Sequence, residues 1–189
     1  LSVSVEHADE TALARYRAFC RSALYAAPQH PLFVESWIDA QGADAFFLGA
    51  TGGGRVVSVP LVVERSGLFT VARLPGGRHA NASFPAVAGP QTAQLDMEAI
   101  AAALARARPD IDLIALERLA PDLEGVPNPL MKLTHFPSPD PALAVDLGGG
   151  FDKLLDRSSG KRKRKKHRSQ IRKFEAVGPY RRIEAKTPG

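Results

Sequence analysis

The strongest chemical signal in this chain of 189 residues is a run of eight bases, Lys161-Arg162-Lys163-Arg164-Lys165-Lys166-His167-Arg168. Such a stripe attracts anions, and a few phosphate contacts would give salt-dependent affinity for nucleic acid, nucleotide or acidic glycan. Lys161, Arg162, Arg164, Lys165 and Arg168 are the candidate anion-binding residues. On a helix, however, eight successive bases spread around every face. No aromatic residues interleave them as a single-strand binder would want, and no reader-helix pattern flanks them. The plainer reading is a solvated helix surface, and contact with a polyanion is the functional one. A second cluster is His79-Ala80-Asn81-Ala82-Ser83. His79, Asn81 and Ser83 offer an imidazole, an amide and a hydroxyl to a substrate cleft, and an imidazole is the side chain most often used as a general base. A polar loop that satisfies its own backbone is the simpler alternative.

The remaining reactive residue types carry less. His7, His30, His135 and His167 are scattered, with no spacing that forms a metal site. His30, close to both Pro28 and Pro31, reads as structural. Thr51-Gly52-Gly53-Gly54 lacks the Lys-Ser/Thr of a phosphate loop and reads as a turn. Cys20 stands alone in an amphipathic stretch, where a buried thiol is expected rather than a nucleophile. Asp110, Asp112 and Glu117 flank an apolar run, and none is assigned a catalytic role.

The elements that must position these residues follow from periodicity. Ser2–Glu6 alternates as a strand, and from Asp9 the three- and four-residue spacing of Leu13, Tyr16, Phe19, Cys20, Ala23 and Leu24 predicts a helix. Asp9 or Thr11 is its cap. Pro28 and Pro31 break it, and a shorter helix through Leu32, Phe33, Ser36 and Trp37 ends at Gly42. Ala45–Ala50, Arg55–Glu64 and Leu68–Leu74 read as a meander of three strands, with Pro60 favouring a bulge or an edge position. The stretch Pro75–Thr92 is too long for a plain connection, so it is functional or holds short elements of its own. Asp96–Arg108 is a helix, Ile111–Leu116 and Leu143–Leu147 are strands, and Phe151–Asp156 and Lys161–Val177 are helices. Tyr180–Ala185 returns to strand.

Composition bounds the classes. Hydrophobic residues at 44% and charged ones at 24% describe an ordinary globular chain. No apolar run approaches the roughly 20 residues of a membrane helix, and the N-terminus shows no export signal, which makes the cytoplasm the expected location. Charge divides the chain. Residues 1–150 hold 11 Lys/Arg against 16 Asp/Glu, a net of −5, while residues 151–189 hold 14 against 4, a net of +10. The reversal follows Gly148-Gly149-Gly150 and marks a boundary.

Local sequences add a resemblance. Pro28-Gln29-His30-Pro31-Leu32-Phe33-Val34-Glu35-Ser36-Trp37 resembles the "P-x-W" helix of GNAT-fold acetyltransferases of the CelD-like kind, a family linked with cellulose and exopolysaccharide biosynthesis. Arg73-Leu74-Pro75-Gly76-Gly77-Arg78-His79-Ala80-Asn81, leading to Phe84-Pro85, resembles the family's glycine-rich segment after the meander. Phe151–Leu155 and Lys161–Lys173 through Gly178 are similar to the basic helix that opens its second half. The resemblance implies an α/β (α+β) fold, a GNAT-like mixed sheet with helices on both faces. It implies a first domain over 1–148, and over 149–189 a basic helix and strand opening a truncated second domain. It also implies an N-acyltransferase that moves an acyl group from acyl-CoA (acetyl-CoA) to an amine or hydroxyl of a sugar, lipid or polysaccharide precursor. One departure matters. The coenzyme A turn of this fold has the form Gln/Arg-x-x-Gly-x-Gly/Ala, but Arg78 stands at its last position and the next helix begins some twenty residues on. Acyl-CoA is therefore expected in the second domain, with this stretch inactive alone and contributing to the acceptor cleft. The alternative is a non-catalytic module that binds a polyanion or nucleic acid through residues 161–173.

Overall fold

The structure is a computed structural model that describes residues 1–91, 95–139, 145–157, 160–179 and 181. It divides into two compact units, Leu1–Ala142 and Leu143–Gly189.

In the first unit β1 (Ser2–His7) leads to α1 (Glu10–Cys20). The Asp9 carboxylate starts this helix by accepting the Ala12 N–H at 2.8 Å, satisfying one of the donors a helix leaves unpaired. A 3₁₀ turn over Ala27–Gln29 precedes α2 (Pro31–Gln41). Pro31 takes the first helical position, where no N–H is needed, and His30 Nδ1 accepts the Leu32 N–H at 3.2 Å. The helix stops at Gly42, whose φ of 56° is left-handed. Three strands then run as a meander: β2 (Asp44–Gly52), β3 (Arg55–Ser66) and β4 (Phe69–Arg73). After the long excursion that includes β5 (Ala86–Ala88), α3 (Met97–Ala107) leads into β6 (Leu113–Ala115).

The sheet is mostly antiparallel and mixed, in the order β1-β2-β3-β4-β6, with β5 also pairing to β3. Among the described residues its one parallel strand pair is β4 with β6, in register Val71↔Leu113, Ala72↔Ile114 and Arg73↔Ala115. The expected bulge or edge at Pro60 is not found. β3 is an interior strand, and its register against β2 runs unbroken through Phe47↔Pro60. The reason lies on the strand's other side. There β4 covers Val62–Ser66 and β5 covers Val56–Ser58, so Pro60 falls between the two partners, where its missing N–H costs no ladder bond.

Alternation along β2 divides the core. Phe46, Leu48 and Ala50 join Val57, Val59, Leu61, Ile100 and Leu104 under α3. Phe47 points the other way, into Tyr16, Cys20 and Val34 of α1 and α2, and its ring stacks on Tyr16 at 4.8 Å. Helices therefore cover both faces. Burying a side chain such as Phe46 contributes about 1.5–3 kcal/mol. Beyond β6 the chain forms a small hairpin, β7 (Asp122–Leu123) and β8 (Val126–Pro127), turned by Glu124 and Gly125 at φ 52° and 77°. Such a two-residue turn with positive φ matches the twist of the strands it joins.

The second unit holds α4 (Gly150–Arg157) and α5 (Gly160–Glu175). Arg164 of α5 reaches Asp156 of α4 at 2.9 Å and Asp152 at 3.6 Å. The strands expected over Leu143–Leu147 and Tyr180–Ala185 lie outside the described residues, apart from Val145–Leu147 and Arg181, which join no strand. No helix among the described residues is long and apolar enough to cross a membrane.

Candidate functional site

At the carboxyl end of β4 the chain leaves the sheet. Leu74, Pro75 and Gly76 remain buried. Gly76 has φ 102°, and a Cβ there would lie 2.6 Å from the Ala80 Cβ and 3.0 Å from the Phe33 ring. Only glycine lets the turn press this closely on α2. A 3₁₀ turn, Gly77–His79, follows. It sets the His79 ring 6.3 Å from Trp37, which in turn stacks on Phe33 at 6.2 Å. Phe33 and Trp37 are four apart on α2 and so share one face. The outcome is a half-exposed aromatic row with an exposed imidazole at its end.

The three expected cleft residues do not share one environment. Asn81 is exposed, and its Oδ1 accepts from Arg118 Nη1 at 3.4 Å, while the same nitrogen donates to the Arg78 carbonyl at 2.7 Å. Ser83 is only 1% exposed. Its N–H donates to the Arg118 carbonyl at 2.9 Å, and its carbonyl accepts from the Ala120 N–H at 3.0 Å and from Asn128 Nδ2 at 3.3 Å. Ser83 pairs in parallel with Leu119, which anchors the excursion to the chain beyond β6. Its hydroxyl faces the interior and cannot meet a substrate at the surface. Ala82, between Asn81 and Ser83, has φ 55° and turns the chain inward.

Three residues matter here that sequence reasoning passed over. Gln29 is fully buried: its side-chain oxygen accepts the Phe84 N–H at 2.9 Å and its carbonyl accepts the Tyr16 hydroxyl at 2.6 Å. Asn128 is 2% exposed and donates to the Ala120 carbonyl at 2.8 Å while accepting the Leu130 N–H at 3.0 Å. Arg118 holds the outer loop as described. A buried amide is conspicuous in a structure but looks like any loop residue in a sequence. Proline neighbours, Pro28 before Gln29 and Pro127 and Pro129 around Asn128, were the available hint.

The nearby charges are structural. Arg73 lies 2.5 Å from Glu64, outside good hydrogen-bond alignment, and 3.3 Å from Glu117. Arg108 binds Asp110 at 2.7 Å and Asp44 at 2.6 Å, and its guanidinium lies 5.0 Å from the Phe46 ring centroid. Its hydrogen bond to Asp110 holds that carboxyl below the ordinary aspartate range. Asp112 accepts the Thr70 N–H at 2.7 Å, which joins β4 to the start of β6. Cys20 is buried, and desolvation pushes its thiol up to about 11, which suppresses the nucleophilic thiolate.

Among the described residues, the glycine turn after β4 differs from the coenzyme A turn that the resemblance implies. The glycine turn at Gly76 enters a three-residue 3₁₀ turn rather than a helix. The α3 N-terminus, the nearest later helix end, already carries the Asp96 carboxylate, which accepts the Ala99 N–H at 3.0 Å, with Glu98 in the same turn. Carboxylates at a helix start use the field that a pyrophosphate would need and repel it.

In the second unit, α5 presents an open groove along one side, lined by Lys161, Arg164, Lys165, Arg168, Arg172 and Lys173, with Ser169 and Ala176 as small residues between them. At 3.6 residues per turn Arg162 sits about 100° around the helix from Lys161, and it does not line the groove. Arg172 and Lys173 continue the basic face one turn past the run of eight. Comparison with known protein families, with curated proteins and with solved structures finds no match to this chain.

Proposed function

We propose that the chain is the acceptor-side domain of a GNAT-type N-acyltransferase of the CelD-like kind. The acceptor is an amine or hydroxyl of a sugar, lipid or polysaccharide precursor, and acyl-CoA is held by the second domain that residues 149–189 open. The observation that carries this reading is the course of the sheet. An antiparallel β1-β2-β3-β4 arrangement, with two helices between β1 and β2, is completed by a helix and a strand parallel to β4. That is the element order the resemblance leads one to expect, reached through pairings that the sequence resemblance does not itself contain.

The chain's own contribution is to orient the acceptor. The carboxyl ends of β4 and β6 bring His79, Asn81 and Arg118 to one part of the surface, beside Trp37 of α2. Ligands of mixed and parallel sheets gather at such strand ends. Trp37 offers an apolar face, His79 and Asn81 offer polar groups, and Arg118 fixes the loop that carries them. In this reading the first unit supplies contacts to the acceptor, and the acyl donor is held by the second domain.

The test is acetyl transfer by the two-domain protein from labelled acetyl-CoA to a panel of amino sugars, polyols and lipid amines. His79→Ala and Asn81→Ala are expected to raise KM about 10-fold with little change in kcat, the pattern of lost acceptor binding. Absence of transfer to every acceptor class, or unchanged KM in both variants, overturns the proposal.

A further inference from the structure

The basic face of α5 calls for an account separate from acyl transfer. Lys161, Arg164, Lys165, Arg168, Arg172 and Lys173 line one groove, and all but the half-buried Arg164 are exposed. From Lys161 to Lys173 a helix rises about 18 Å, and phosphates on one strand of a duplex advance about 3.4 Å each, so the face matches roughly five of them. A single nucleotide or a free phosphate would leave most of the face unused. Arg164, Arg168 and Arg172 recur every four residues, which aligns three guanidinium forks along the helix, and such forks suit phosphate oxygens. Ser169 and Ala176, the short side chains of the lining, leave room between the cationic ones for a rod-shaped ligand. Arg164 already holds two carboxylates, Asp152 and Asp156, anions where a phosphate would otherwise stand.

We propose that α5 is a sequence-independent docking surface for the phosphodiester backbone of nucleic acid. A lipid surface fits less well. The apolar residues on α5, Ile171 and Phe174, lie about a third of a turn from the middle of the basic face, whereas a membrane-lying helix needs a broad apolar face between its cations. No aromatic side chain lines the groove, so bases are not read and affinity rests on phosphate contacts alone.

The test is fluorescence anisotropy of the 189-residue protein with a labelled duplex of about 20 base pairs, between ~50 and ~200 mM salt. The expected result is binding that falls with salt at a slope of about −4 to −5 in log K against log concentration. Changing Lys165, Arg168 and Arg172 together to Gln, which keeps helix propensity, should weaken binding at least ~10-fold and reduce the slope by about 3. Arg21, Arg65 and Arg106 changed together to Gln remove the same charge from the first unit and should leave both quantities nearly unaltered. Asp156→Asn should tighten binding about two- to five-fold by removing the internal competitor for Arg164. No binding at the lowest salt, or equal losses in the two triple variants, overturns the proposal. So does heparin, or a vesicle of anionic lipid, binding as tightly as the duplex with the same dependence on Lys165, Arg168 and Arg172.

Discussion

Single side chains in this protein mostly hold the fold rather than offer chemistry, and Arg108 shows how. It joins Asp44 at the start of β2 to Asp110 before β6, while its guanidinium covers Phe46. The hydrogen bond from Arg108 depresses the Asp110 pKa in the folded state. A depressed carboxyl contributes stability above its unfolded pKa of about 4, and that contribution is lost as pH falls through the lower folded value. Denaturation of the protein and of Asp110→Asn over a range of pH should therefore show an advantage for the native residue at neutral pH. The advantage should shrink below pH ~4 and vanish once Asp110 is protonated in both states. A difference that stays constant down to the lowest pH would contradict this. The sequence alone showed Asp110, Asp112 and Glu117 as strand-flanking charges without catalytic roles, and the structure gives each a partner: Arg108, the Thr70 N–H and Arg73. The sequence offered Asp9 or Thr11 as the first cap and Gly42 as a stop, because caps depend on residue type at one position, and the structure selects Asp9. Burial of Gln29, Ser83 and Asn128 depends on chain returning from far away, and nothing in a local window reports it.

At the scale of elements, the excursion from Leu74 to Pro85 is held by polar groups as well as by Leu74 and Phe84 in the core. Ser83 is pinned between the Arg118 carbonyl, the Ala120 N–H and Asn128, and Phe84 is pinned by Gln29. Asn128→Ala removes two donated bonds and one accepted bond inside the protein. The Ser83 carbonyl keeps the Ala120 N–H, but leaving the Ala120 carbonyl and the buried Leu130 N–H unpaired is expected to cost about 2–3 kcal/mol in urea denaturation; a loss under about 0.5 kcal/mol would mean that the excursion is held otherwise. The strands of the meander and all three helices of the first unit were legible because strict alternation or 3.6-residue spacing persists over many residues. Three features were not. Pro60 argued for an edge, since a sequence cannot show that the opposite ladder is interrupted at that residue. The Glu124-Gly125 hairpin and the Pro129–Lys132 turn sit in a proline-rich stretch that reads as featureless connection.

For the whole molecule, the charge reversal after Gly150 separates a net −5 from a net +10, and the two compact units divide the chain at Ala142 and Leu143. The acidic unit carries the sheet and the proposed acceptor surface, and the basic unit carries the proposed phosphate face. Acyl transfer and nucleic-acid docking are thus independent claims, and either can fail alone. The first stands on strand order plus a resemblance in three segments. Fold by itself supports many chemistries, so the central claim needs a direct ligand measurement. That measurement is calorimetric titration of acetyl-CoA into the 189-residue protein and, in parallel, into a longer chain that includes the whole of the proposed second domain. The account predicts binding to the longer chain and none to the shorter, whose α3 start carries Asp96 and Glu98 where a pyrophosphate would need room. Binding to neither, or equal binding to both, would contradict it.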